Sequence, residues 1–247
     1  MAGGNPGHFS FWFWGLVMAG RVVVITGAFG VLGSAVAEAA VAGGARVALI
    51  DFAKDAPAGL ASGPDVLTLP GVDLTDAVQA GAAMDAVADR FGGLDVLLNI
   101  AGGFTWETLQ DGSIQSWPAM YRLNVLTAAN ACRAAIPHLK RSAAGRIVNV
   151  GSAAALKAAM GMGAYAAAKA GVHSLTQALA EELKGDNITV NAVLPSILDT
   201  PTNRADMPQA DASTWVAPRD LAAVMLFLAS EAATAVTGAL VPVTGRV

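Results

Sequence analysis

From Arg21 to the end of the chain, short continuous apolar runs alternate with stretches whose apolar residues recur at helical spacing. Arg21–Thr26 (RVVVIT) reads as a buried strand closed by a glycine turn, and Val31–Ala42 as an alanine-rich helix. Arg46–Ile50, Val66–Leu69 and Leu94–Asn99 read as further strands, with a helix over Thr75–Phe91. A long helix is predicted over Ile114–Leu139, irregular near Pro118. A strand at Arg146–Val150, a helix at Tyr165–Leu183, a strand at Ile188–Ala192, a helix at Pro218–Ala229 and a strand at Leu240–Val243 complete the series.

Strands alternating with helices of this length imply βαβ units, and their right-handed crossovers lead to a doubly wound sheet. The expected fold class is therefore α/β: a Rossmann-like parallel sheet of about seven strands with helices on both faces, in a single domain. No repeat, low-complexity linker or second domain interrupts the pattern. One long irregular stretch, Leu194–Val216, reads as a lid.

Composition sharpens this. Apolar residues make up 54% of the 247 and charged residues only 14%, which suits a sheet buried on both faces. A net charge of −4 without a basic run speaks against a nucleic-acid partner. The single cysteine, Cys132, excludes an internal disulfide and fits a reducing compartment, here expected to be the cytoplasm; its position reads as a buried helix residue. Residues Phe9–Met18 (FSFWFWGLVM) are too few to span a bilayer, which takes about 20 residues. They also lack the preceding Lys or Arg of a secretory signal. Residues 1–17 are therefore expected to be an extension outside a dinucleotide-binding catalytic domain at 18–247, or alternatively an apolar segment covering a subunit interface.

Candidate chemistry begins at Thr26-Gly27-Ala28-Phe29-Gly30-Val31-Leu32-Gly33, between the first strand and the first helix. Glycines there allow a tight turn, a close backbone approach to a pyrophosphate, and helix–strand packing. Phosphates would rest against the helix N-terminus. Asp51, 24 positions after Gly27, ends the second strand, where a carboxylate accepts ribose hydroxyls and repels a 2′-phosphate. Lys54 is the one nearby cation, so NAD is expected over NADP. Asp73 could receive the adenine amino group, or it could serve only the turn before Thr75.

Tyr165 and Lys169 stand four apart on a predicted helix and so share a face. A free tyrosine titrates at about 10. An ammonium within about 4–6 Å favours the phenolate and lowers that value, tuning the group for proton transfer to a carbonyl oxygen. Ser152, thirteen positions upstream of Tyr165, ends the fifth strand and could donate to the same oxygen. Asn99 and Gly102 end the fourth strand at the same edge, and Asn124 lies in an apolar helix; a structural role is plausible for both asparagines.

From about Val22 onward the chain resembles the short-chain dehydrogenase/reductase family, carried in order by TGAFGVLG, NIAG, Asn124, Ser152, YAAAK and VNAVLPSILDTP. The resemblance implies an enzyme that moves hydride between nicotinamide C4 and a carbonyl or secondary alcohol carbon. Tyr165 would be the general acid/base, with Lys169 lowering its pKa and holding the nicotinamide ribose. Ser152 would polarise the carbonyl, and Asn124 would hold a water of the proton relay. Cofactor contacts would come from Gly27, Phe29, Gly30, Val31, Leu32, Asp51, Asp73, Leu74, Asn99, Ala101 and Gly102, then Pro195, Ile197 and Thr200, besides Tyr165 and Lys169. Thr200 would contact the carboxamide. Two departures stand out: Val31 replaces a usual glycine of TGxxxGxG, and Ser196 follows Pro195 where glycine is usual.

Leu198–Trp215 (LDTPTNRADMPQADASTW) is also similar to a loop of quinoid dihydropteridine reductases, as are Ala101–Phe104 and the glycine spacing. Those enzymes lack the serine and asparagine kept here, so carbonyl chemistry is favoured over pterin reduction. A non-catalytic NAD(H) sensor is the other class of alternative, weakened by the presence of both Tyr165 and Lys169. Phe104, Trp106, Leu156, Met160, Met162 and Trp215 are expected around an apolar substrate cleft. Asn203, Arg204 and Asp206 of the lid could read a polar group. His138 and His173 are expected to be structural and away from the cleft. No metal-ligand cluster is expected, and the family resemblance implies a homotetramer or homodimer.

Overall fold

A computed structural model describes residues 18–247; the expected extension at residues 1–17 lies outside them. Seven strands form one parallel sheet: β1 (Val22–Thr26), β2 (Arg46–Ile50), β3 (Val66–Leu69), β4 (Val96–Asn99), β5 (Gly145–Val150), β6 (Ile188–Pro195) and β7 (Leu240–Val243). They lie in the order β3-β2-β1-β4-β5-β6-β7, with Val23 beside Val47 and Val96, and Val148 beside Leu98 and Asn191. The helices are α1 (Val31–Ala42), α2 (Ala77–Phe91), α3 (Ser116–Tyr121), α4 (Thr127–Leu139), α5 (Gly163–Glu182), α6 (Pro201–Asp206) and α7 (Pro218–Ala229). The fold is thus the expected Rossmann-like doubly wound α/β sheet with helices on both faces. Among the described residues no helix is long and apolar enough to cross a membrane.

Strand side chains alternate between the two faces, which explains the continuous apolar runs. Val23 and Ile25 join Leu49, Leu98 and Val148 under α1 and α7. Val22 and Val24 join Ala48, Leu97 and Ile147 under α2, α4 and α5. A smaller cluster of Met120, Val125, Ala164, Ala168 and Val172 joins α3 to α5.

Several elements differ from their sequence expectation, each for a local reason. Helix α2 starts at Ala77 because the Asp76 carboxylate accepts the N–H groups of Val78 (2.8 Å) and Gln79 (3.4 Å). The single helix expected over Ile114–Leu139 is α3, a π-helical turn at Arg122–Leu126, and α4. Pro118 lies in the first turn of α3, where a missing N–H is harmless, so the irregularity falls at the π turn instead. Helix α5 begins at Gly163, and β6 continues to Pro195. The stretch Leu194–Val216 is far from irregular. It holds the end of β6, helix α6, a 3-10 turn at Ala212–Thr214, and a parallel bridge between Leu198 and Val216. That bridge is closed by Asp199 N–H to Val216 O and Val216 N–H to Ile197 O, both 2.9 Å.

Strand order reverses between β1 and β4, opening a crevice beyond their carboxyl ends. Buried Thr26 stitches the two strands there: its hydroxyl oxygen accepts the N–H groups of Ile100 and Ala101, each at 3.1 Å. Replacement of Thr26 by the isosteric valine leaves both N–H groups without this acceptor and should destabilise the chain by about 2 kcal/mol. Thr26→Ser should retain most of the stability. Urea midpoints with an unchanged m value measure both, and a Thr26→Val midpoint equal to the parent's would refute the role of the hydroxyl.

Candidate active site

The turn after β1 is built by glycines with separable duties. Gly27 has φ +63°, and a Cβ on it would lie 2.8 Å from the backbone of Ala101. A Cβ on Gly33 would lie 2.2 Å from Gly27 O, so α1 can press onto the turn only without one. Gly30 is different: its Cβ would meet only Gly27 O, at an ordinary 3.5 Å. It caps α1 in an extended conformation and supplies no capping side chain, so the helix opens with its first-turn N–H groups uncapped by that residue. Such a helix start is what a pyrophosphate requires, and the cradle fits a dinucleotide. Val31 is largely exposed at this turn and Leu32 buried.

Asp51 faces the same turn. One carboxylate oxygen accepts Phe29 N–H at 2.9 Å and the other accepts Ala53 N–H at 3.0 Å. A carboxylate accepts more bonds than these, so hydroxyl recognition is compatible with that anchoring. Asp73 closes its own turn, accepting Thr75 N–H at 2.8 Å. Leu74 beside it is buried, and its carbonyl accepts an N–H of Asn130 at 2.9 Å. Asn99 is also buried and donates to Asn149 Oδ1 (2.9 Å) and Cys132 Sγ (3.2 Å). Burial pushes the Cys132 thiol up to about 12, which removes it from consideration as a nucleophile.

The π turn serves Asn124. It turns that side chain toward the loop after β4, where Oδ1 accepts Gly103 N–H (3.2 Å) and Nδ2 donates to Gly103 O (3.0 Å) and Met120 O (3.1 Å). Gly102 is wedged between this amide and Lys169: a Cβ there would lie 2.6 Å from Asn124 Oδ1 and 3.4 Å from Lys169 Nζ. Gly171 performs the same service for the packing of α5, since its Cβ would lie 2.9 Å from a Val125 methyl.

Tyr165 and Lys169 rise from one face of α5, with Lys169 Nζ 5.9 Å from the centre of the Tyr165 ring. The ammonium is buried and donates to Val150 O at 2.8 Å; burial draws it down to about 8. The phenol is displaced upward from its ordinary value, chiefly by burial, while a hydrogen bond with the Ser152 hydroxyl acts the other way. The lowered phenol expected from the four-residue spacing is therefore not the direction found. Desolvation outweighs a lysine whose proton is directed at a backbone carbonyl. Ser152 itself is buried, and its oxygen accepts Ala154 N–H at 3.1 Å.

One expectation is corrected outright. His173 is not away from the cleft: its Nε2 accepts Ser152 N–H at 3.3 Å. The helical spacing 165, 169, 173 in the sequence already places all three on one face. His138 does lie apart, joining α4 to α2 through Asp85 Oδ1 at 3.0 Å. Asn149 and Thr176 lie inside apolar runs and carry no motif, and Thr26, though it opens the glycine motif, gives no sign in the sequence of the two N–H groups it accepts.

Phe104 packs edge-on against Tyr165 at 4.9 Å between ring centres. Trp106 covers Gly161, where a Cβ would overlap its ring at 2.2 Å, and Glu107 N–H donates to Gly161 O at 2.9 Å. Phe104 thus gives the phenol an apolar wall, while Leu156 and Met160 are exposed on the segment between β5 and α5 and Met162 precedes the helix. Most of the polar lid residues are committed within the lid. Arg204 binds the Asp199 carboxylate through two nitrogens at 2.6 and 2.9 Å, and Asn203 donates to Leu198 O at 2.8 Å. Thr200 caps α6 by accepting Asn203 N–H at 3.2 Å. Asp206 ends that helix, while Pro195 and Ile197 lie on the path into it. Ser196 closes β6 onto β7, donating to Thr244 O at 2.8 Å. Trp215 is buried and lines a separate recess of about 700 Å³ with Asp199, Arg204, Arg219 and Arg246, which holds none of the residues around Tyr165. Among the described residues no group of His, Cys, Asp and Glu could hold a metal ion.

Comparison with known proteins gives a consistent assignment. A family profile described as short chain dehydrogenase matches residues 21–211. A trans-4-hydroxycyclohexanecarboxylate dehydrogenase of Sinomonas cyclohexanicum is 33% identical over 241 residues, covering 92% of this chain and 93% of its own. A meso-2,3-butanediol dehydrogenase of Serratia marcescens is 35% identical over 238 residues, covering 91% and 93%. The crystal structure of a short-chain dehydrogenase/reductase from Brucella melitensis, titled glucose/ribitol dehydrogenase, superimposes with a TM-score of 0.86 at 30% identity, covering 93% of this chain and 97% of that one. The chain belongs to the short-chain dehydrogenase/reductase family of oxidoreductases that use a nicotinamide cofactor.

Proposed function

We propose that the chain is an NAD(H)-preferring oxidoreductase that interconverts a ketone and a secondary alcohol, with Tyr165 as general acid/base. The observation that carries this is the meeting of Tyr165, the Ser152 hydroxyl and the Lys169 ammonium at one sheet edge, beside a glycine cradle and an apolar wall. The relatives named above, dehydrogenases of a cyclic hydroxy acid and of a diol, support the alcohol/carbonyl class.

Bound nicotinamide supplies or accepts the hydride. The chain's own residues manage the oxygen. Ser152 donates a hydrogen bond to the carbonyl and draws charge onto its oxygen. Tyr165, whose burial favours the protonated phenol, delivers the proton in reduction and removes it in oxidation. Lys169 favours the phenolate that reduction leaves behind, and its second expected duty is the ribose. Asn124 shapes the loop at Gly102 and Gly103, and on this reading also orients a relay water. The turn from Gly27 to Leu32 would hold the phosphates, and Pro195, Ile197 and Thr200 would hold the nicotinamide. Asp73, Leu74, Asn99 and Ala101 complete the cofactor wall. Exposed Trp117, Tyr121 and Leu123 along α3 and the π turn support a homo-oligomer interface beside α4 and α5. The lone buried cysteine supports a cytoplasmic setting.

The direct test is NADH oxidation with a small ketone and 3-oxoacyl thioester panel beside quinonoid dihydropterin. Ketone or thioester turnover is expected, and Tyr165→Phe should lower it by at least about a hundredfold without weakening NADH binding. Pterin turnover alone would transfer the chain to the dihydropteridine reductase class. Tight NADH binding without turnover of anything would make it a sensor.

Asp51 sets the cofactor. Asp51→Asn keeps an oxygen for a backbone N–H but removes the charge that repels a 2′-phosphate. It should narrow the NADH-over-NADPH ratio of kcat/KM by about tenfold, near 1.4 kcal/mol. An unchanged ratio would assign the preference elsewhere.

Lys169 couples activity and stability in opposite senses. Its ordinary value of 10.5 falls to about 8 in the fold. Below pH 8 the group is charged folded and unfolded, and its burial opposes folding. Between 8 and 10.5 the unfolded chain holds more protons, so this contribution to stability rises with pH across that window. Over the same range kcat/KM for ketone reduction should fall as the ammonium is lost. Initial rates and urea unfolding at pH 7 and 9, with Lys169→Met as the reference for stability, measure both; a stability difference that moves against the parent with rising pH would contradict the assignment.

A further inference from the structure

Strand β5 ends at Val150, and the chain must leave the sheet in a way that aims the next residues at the cleft. Gly151 still pairs with β6, its N–H donating to Val193 O at 2.9 Å. Ser152 N–H has left that ladder, lies in a buried residue, and needs another acceptor. His173 provides it, with Nε2 at 3.3 Å. The imidazole occupies the space a side chain at position 151 would take: a Cβ there would lie 2.5 Å from Nε2 and 2.7 Å from Cδ2. Gly151 and His173 therefore form a matched pair, and no other common residue at 151 would let the ring reach the amide.

We propose that His173 is a positioning residue for the proposed carbonyl chemistry: its unprotonated Nε2 takes the Ser152 N–H and thereby fixes the direction of the Ser152 hydroxyl. This rests on the reading of Ser152 as the group that polarises the substrate oxygen. Because the bond needs a lone pair on Nε2, the ring hydrogen belongs on Nδ1. Burial and the charge of Lys169 one turn away both keep the imidazole neutral, which preserves the lone pair. Ser152 is then held from two sides. Its amide is fixed by His173, and its oxygen accepts Ala154 N–H at 3.1 Å in an extended conformation, φ −163° and ψ 144°. The one freedom left to the hydroxyl is its own hydrogen, which on this reading points at the substrate oxygen. An aliphatic residue at 173 would pack against Gly151 but would leave the amide unpaired, and the serine backbone would move to find a partner.

A double-mutant cycle in ketone reduction tests this. His173→Leu should lower kcat by about tenfold to a hundredfold with the KM for NADH unchanged, since only the direction of one hydroxyl is lost. In a Ser152→Ala background the same change should cost almost nothing, because the hydroxyl it directs is gone. His173→Gln, whose amide oxygen has a similar reach, should restore most of the parent rate. Nitrogen NMR of the parent should find Nε2 of His173 unprotonated. A loss that persists in full in the Ser152→Ala background would overturn the inference, as would a glutamine variant no better than leucine, or a protonated Nε2. If Ser152→Ala alone loses nothing, the reading of Ser152 falls and the inference with it. A Ser152→Ala loss combined with a fully active His173→Leu overturns the inference alone. Should the leucine variant not fold, the glutamine variant and the NMR still decide.

Discussion

A single register between α5 and the end of β5 holds the catalytic edge together. Three side chains on one face of the helix reach the strand as it ends. Lys169 donates to Val150 O, His173 accepts from Ser152 N–H, and the Thr176 hydroxyl accepts from Asn149 Nδ2 at 2.9 Å. Slipping the helix by one residue would rotate all three off the strand. It would strand a buried ammonium, a buried imidazole and a buried amide together, each costly without a partner. Tyr165, one turn before Lys169, takes its position from the same register. The alanines of YAAAK and Gly171 allow it, because the helix must lie close to the π turn for these bonds to form.

Burial at this edge raises the phenol of Tyr165 and lowers the ammonium of Lys169, driving the two groups apart in pKa. An acid that is protonated near neutral pH and a lysine that titrates close above it are suited to proton transfer at a carbonyl oxygen. The same desolvation works against folding while the ammonium is charged. A cation held under a sheet edge by a single backbone carbonyl lowers stability over the range in which it is charged. The large apolar layers on both faces of the sheet supply the stability that makes this affordable.

The cofactor cradle divides its glycines between architecture and binding. Gly27 and Gly33 are demanded by the protein's own backbone, at Ala101 and at the start of α1. No neighbour among the described residues crowds Gly30, so packing does not account for its small size. Phe104 stands edge-on to the Tyr165 ring, whereas Arg204 is already bound to Asp199.

The alternation of apolar runs and helical spacing determined the fold by itself, since a covered parallel sheet is the one economical way to bury such runs. It also determined the Tyr165–Lys169 pair, because four-residue spacing fixes a helix face whatever the helix packs against. Local polar chemistry was less legible. The π turn that presents Asn124 and the Asp76 cap that shortens α2 depend on competition among backbone donors. The ordered lid depends on a bridge between Leu198 and Val216, eighteen residues apart. Only the tertiary structure decided what each polar side chain holds: Thr26 the loop after β4, Ser196 the end of β7, Arg204 its own lid, and His173 the serine amide. It also decided the direction of the titrations, because desolvation is a property of the packed whole and no spacing along a chain encodes it.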